Sequence, residues 1–182
     1  WVIFVTVLVL GGLQFSHGFY IQAKAMLSQF LLDSAWKDML EEGSLVKTWP
    51  WADTWPVGKL SLPEYNVDLI VLAGASGHNL AFGPGHLDGT PLPGQPGNSL
   101  ISAHRDTHFR FLKSVTRGDV VQAQDVGGVV HDYRVTNMHI VDSRKPITLP
   151  ISDKSMLTLV TCYPFDAVLP GGPMRYIVVA EE

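Results

Sequence analysis

The sequence holds one cysteine, Cys162, among 182 residues. An intrachain disulfide is therefore excluded, and with it a small disulfide-stapled scaffold. Charge is also scarce, at 16% of residues against about 25% in ordinary globular chains. Lys plus Arg number 13, Asp plus Glu 17, and the formal net charge is −4. That balance offers no basic surface for a phosphate backbone and excludes nucleic acid as a partner. Internal repeats and low-complexity tracts are missing too, which excludes solenoid and array architectures.

The scarcity of charge has a local cause. The chain opens WVIFVTVLVLGGL, and its first charged side chain is Lys24. A membrane-spanning helix needs about 20 mostly apolar residues, so residues 1–22 are expected to form a transmembrane helix. Trp1 and Tyr20 fall where amphipathic rings favour the two interfaces. A secretory signal would be shorter and end at a small-residue cleavage site, which is not found. Leu32, Trp36, Met39 and Leu40 then recur at helical spacing, and Gly43 supplies a stop. Residues 23–43 therefore read as an amphipathic helix beside the membrane. Residues 44–58 include three Trp and two Pro and read as an extended linker.

From residue 59 the pattern changes to short β-type runs. KLSL, NVDLIVLAG, NSLISAH, DVVQAQDV, GVVHDYRVTNMHIV, MLTLVTC and MRYIVVAE are separated by Gly, Pro and Asp. Such spacing predicts an all-β barrel or sandwich over 59–182. Only GHNLAF and HFRFLKSV read as short helical turns.

Cys162 ends one of these runs. Tyr163 precedes Pro164 and is biased away from helical geometry, so Cys162 sits where a strand leaves the sheet. A free cysteine is commonly buried filler; a nucleophilic one needs a base or cation beside it. Among seven histidines, His104 stands out, because it ends a second apolar run. Arg175 opens the last run, on the face it shares with Ile177 and Val179. Guanidinium does not serve as a base, but it can hold a developing oxyanion. The alternative is a charge that guards a sheet edge. His104 and His108 stand four apart, as in helical zinc pairs, but Arg105 replaces the glutamate of the zincin motif. The remaining histidines lack ligand spacing, and nothing in the sequence calls for a metal or other cofactor.

Taken together these stretches resemble a sortase. TLVTC at 158–162 is similar to the family's Thr-Leu-x-Thr-Cys signature, and AHRDTHF at 103–109 resembles its His-Arg stretch. GPGHLDGTPLPGQPGNSLISAHR at 83–105 resembles the approach to that histidine, and Arg175 falls in the last strand, where the family carries its arginine. The linker WPWADTWP resembles that of the sortases named after marine proteobacteria. Where many relatives have Ala-Gly before the histidine, this chain has Ser102 and Ala103. No carboxylate cluster matches the calcium site that some sortases carry.

The resemblance implies a closed eight-stranded barrel and a cysteine transpeptidase. Cys162, His104 and Arg175 would be the catalytic residues, with Thr161 a lesser candidate for shaping the oxyanion site. The substrate would be an exported protein with a Leu-Pro-x-Thr-Gly-like sorting signal, passed through a thioester to an amine acceptor. The enzyme would sit in the cytoplasmic membrane by a single span, in contact with lipid, with its catalytic domain outside. Two alternatives use the same features: a thiol peptidase with water as acceptor, and a membrane-tethered β-barrel that binds peptides and has a structural cysteine.

Overall fold

The apolar runs beyond residue 55 pair into one closed sheet. The structure is a computed structural model and describes residues 1, 4, 6, 27–44, 46–146, 152–169 and 171–182. The expected transmembrane helix at 1–22 lies outside the described residues, apart from Trp1, Phe4 and Thr6. Among the described residues no helix is long and apolar enough to cross a membrane.

The strands are β1 (Pro56–Leu62), β2 (Val67–Ala73), β3 (Gly85–His86), β4 (Gly97–Ser102), β5 (Val120–Gln124), β6 (Val130–Asp142), β7 (Ser155–Cys162) and β8 (Met174–Glu181). They close in the order β1-β2-β3-β4-β7-β8-β6-β5, and β1 pairs with β5 to complete the ring. Pairs β2–β3 and β4–β7 are parallel. β1 starts at Pro56, ahead of the run KLSL, at the first strand position where a missing N–H is tolerated. β3 was not legible in the sequence, since two residues cannot show a period. It exists because Gly85 lets two backbones meet: a Cβ there would collide with the Gly74 carbonyl oxygen and the Ala75 backbone.

Alternation sorts the side chains. Leu60, Leu62, Val71, Ile101, Ala103, Leu157, Leu159, Val178 and Ala180 fill the barrel interior with Tyr133 and Phe109. The opposite face of β2 is also apolar, which is why NVDLIVLAG does not alternate. Helix α1 (27–42) explains it: Leu32, Trp36 and Met39 pack on Ile70 and Leu72. The Gly43 N–H closes α1 on the Met39 carbonyl at 3.0 Å, and Gly43 takes a φ of 65°, a conformation glycine adopts without strain. The linker is tied down after α1. Trp49 meets Phe82 edge-on with ring centroids 5.2 Å apart, the Thr54 hydroxyl donates to the Ala73 carbonyl at 2.7 Å, and the Ala73 N–H donates to the Trp55 carbonyl at 2.8 Å.

Candidate active site

Three segments meet at one rim of the barrel. β4 and β7 run parallel as neighbours, with Ser102 beside Val160. The ladder continues past the end of β4, because the Ala103 N–H donates to the Val160 carbonyl at 3.2 Å. One residue on, His104 leaves the sheet at the same end at which Cys162 ends β7. β8 is the antiparallel neighbour on the other side of β7, and there Cys162 and Arg175 are direct partners. The order across the rim is therefore His104, Cys162, Arg175.

All three belong to the face turned away from the core. On β7, Leu157 and Leu159 point inward, while Met156 and Val160 join Ile177 and Val179 in a separate cluster on the other face. Period-two alternation puts Cys162 and Arg175 with that second set. Cys162 and Arg175 are half-buried and His104 is exposed. Because β8 lies between β7 and β6, Arg175 does not guard an edge.

The Arg175 guanidinium curls over the start of its own strand. Its Nη1 donates to the Gly172 carbonyl at 2.6 Å and to the Met174 carbonyl at 2.9 Å. Among the described residues its Nε and Nη2 have no hydrogen-bond partner, so those donors remain to be used.

The backbone around His104 is held on both sides. The Thr161 hydroxyl, almost fully buried, donates to the Ala103 carbonyl at 2.7 Å. The Phe109 N–H donates to the His104 carbonyl at 3.0 Å, and the Phe109 ring is sealed in the core. Thr161 thus acts on the histidine segment rather than pointing with Cys162. His108 follows nearby; burial, and then the proximity of His104, push its imidazole below the ordinary histidine range.

In the sequence Arg105 stands where a zincin has glutamate and supplies the arginine of the His-Arg stretch. In the fold it is buried, 5% exposed, and its fork spans the loop that follows Cys162. Nη1 donates to the Pro164 carbonyl at 2.8 Å, and Nη2 to the carbonyls of Ala167 at 2.9 Å and Leu169 at 3.3 Å. Nε reaches Asp106 at 3.3 Å. The same loop is weighted by rings: Tyr163 stacks on Tyr176 at 6.2 Å, and Phe165 meets Tyr176 edge-on at 5.3 Å.

A histidine on β6, held near the far end of β8 from Arg175, is separate from this rim. His131 sits between Glu182, 2.9 Å from Nδ1, and Asp125, 3.2 Å from Nε2.

Comparison with known proteins gives the family and the fold. The model of the family described as Sortase domain matches residues 60–182. Sortase D of Bacillus subtilis (strain 168) is 32% identical over 126 residues, covering 69% of this chain and 63% of the relative. The chain thus spans less than two thirds of that relative's length. Among solved structures, Sortase A from Corynebacterium diphtheriae superposes with a TM-score of 0.63 at 27% identity, covering 72% of this chain and 62% of that one. A Clostridium perfringens Sortase D5 transpeptidase gives a TM-score of 0.68 at 18% identity, over 86% of this chain and 98% of that one; at that identity it speaks for the fold alone.

Proposed function

This chain belongs to the sortase family, and on that premise we propose that it is a cysteine transpeptidase acting on a sorting signal of the Leu-Pro-x-Thr-Gly kind. The observation that carries the reading is the pairing of Cys162 with Arg175 at the strand end where His104 also emerges. The Cys162 thiolate attacks the scissile carbonyl carbon. The tetrahedral oxyanion is held by the unused Nε and Nη2 donors of Arg175. The C–N bond breaks as protonated His104 gives its proton to the leaving amine, and a thioester remains. An incoming amine then attacks the thioester, His104 takes its proton, and the sulfur leaves as thiolate. Water in place of the amine gives peptide hydrolysis by the same route.

The site opens at the rim of the barrel, where Cys162 and Arg175 are half-buried and His104 is exposed, so a peptide reaches it there and not along the covered face of β7 and β8. Residues 1–22, apolar and uncharged, would hold the enzyme in the cytoplasmic membrane with the barrel outside. Tethering enzyme and exported substrate to one surface raises their effective concentration.

The test is direct. The purified protein is mixed with internally quenched Leu-Pro-Xaa-Thr-Gly peptides of varied Xaa, with and without triglycine. The expected result is an acyl adduct on Cys162 by mass spectrometry and a triglycine-extended product, both lost in Cys162→Ala. Absence of adduct and product across the whole peptide set refutes the reading. Adduct with only hydrolysed product favours the peptidase.

A further inference from the structure

We infer that Arg105 is a positioning residue of this reaction, clamping the loop between Cys162 and Arg175 onto the segment that carries His104. The inference rests on the catalytic reading above and extends it to a residue that does not touch the substrate.

Burying a guanidinium is costly unless its donors are satisfied. Asp106 is exposed and meets Arg105 only at 3.3 Å, a weak offset for a buried cation. The offset comes instead from three carbonyls of one loop, those of Pro164, Ala167 and Leu169. These carbonyls lie at sequence separations of 59, 62 and 64 from Arg105. One rigid planar fork therefore ties the residue after His104 to the chain that leaves Cys162 and returns to Arg175. The three catalytic candidates come from three strands, and strand pairing fixes only their backbones up to the rim. Beyond the rim, the Arg105 fork joins the His104 segment to the loop that connects the other two. Lysine offers a charge and three donors but not the planar fork, so it should hold the loop only in part.

The test compares Arg105→Met and Arg105→Lys with the parent protein, with each rate divided by the folded fraction. Arg105→Met is expected to lose about 10²-fold in kcat/KM, the size expected of a misplacement of about 1 Å. Arg105→Lys should fall between the two. The loss should lie mainly in kcat, because the contact acts on the reacting groups and not on peptide binding. Hydrogen exchange gives a second readout that needs no substrate: amides of 163–169 should exchange faster in both variants, with β4, β7 and β8 unchanged. If the parent shows no acyl transfer but loop exchange still rises, the catalytic reading fails while the clamp stands. Rates per folded molecule within threefold of the parent in both variants overturn the positioning role. So does failure of both variants to fold, which makes Arg105 a structural anchor.

Discussion

Cys162 and Arg175 stand directly opposite each other across the antiparallel β7–β8 ladder. On an antiparallel pair, opposite residues have Cβ atoms roughly 4.5–5.5 Å apart and project on the same side. Strand register alone therefore sets the Cβ atoms of Cys162 and Arg175 side by side, while the guanidinium is steered by the Gly172 and Met174 carbonyls. His104 joins them through the parallel β4–β7 pairing on the other flank.

That geometry makes the three substitutions unequal in kind. Cys162→Ala removes the proposed nucleophile and should abolish acyl-enzyme formation. His104→Ala should lower the rate by about 10²–10⁴-fold while leaving the thiol open to alkylation. Arg175→Ala should lower kcat by orders of magnitude, and Arg175→Lys should recover only part of it, because one ammonium does not replace a fork. Steady-state kinetics on quenched peptides, with circular dichroism to verify the barrel, checks all of these. An unchanged rate in any variant removes that residue from the mechanism.

Thr161 gives a second prediction. Its hydroxyl donates to the Ala103 carbonyl inside the barrel wall, and the side chain is 1% exposed. Thr161→Val keeps the shape and leaves that carbonyl without its side-chain donor, which should cost about 1–3 kcal/mol. Thr161→Ser keeps the hydroxyl and should retain more stability than valine. Urea unfolding of the three proteins measures the difference, and equal midpoints for valine and threonine contradict it.

Much of this site was legible in the sequence, for physical reasons that differ by residue. Strand ends are marked by chemistry: Pro164 after Cys162, and the glycine-rich turn before Arg175. The runs of β4, β7 and β8 are apolar enough to be read as strands without alternation. Two features were not legible. β3 depends on the close approach allowed at Gly85, and no periodicity reports that. The role of Arg105 depends on carbonyls about 60 residues away, and an arginine beside an exposed aspartate looks like surface charge until the chain is folded.

Helix α1 supplies a third prediction. Trp36 is 4% exposed and lies with Leu32 and Met39 against Ile70 and Leu72. The helix is thus part of the barrel's packing and not merely a tether. Trp36→Ala should cost about 3–5 kcal/mol, the range for a large buried aromatic. Thermal unfolding should show a single transition at lower temperature. An unaltered midpoint would mean that the helix does not contribute to the stability of β2.

His131 supplies the last. Hydrogen bonds from its ring to Glu182 and then to Asp125 raise its pKa above the ordinary 6.5, against the opposing effect of burial. The folded protein therefore holds this proton more tightly than the unfolded chain does. Linkage fixes the sign: the contribution is fully present below about pH 6.5, the unfolded value. It is lost as pH rises through the higher folded value. The melting temperature should fall as pH climbs from about 6.5 through that raised folded value. His131→Gln keeps polar contact with the carboxylates but does not titrate, so its profile should be flatter over the same range. The site lies near the far end of β8 from Arg175, so activity per folded molecule should not follow this titration. Parallel melting profiles for the two proteins would show that the carboxylate bridge contributes nothing that depends on the proton.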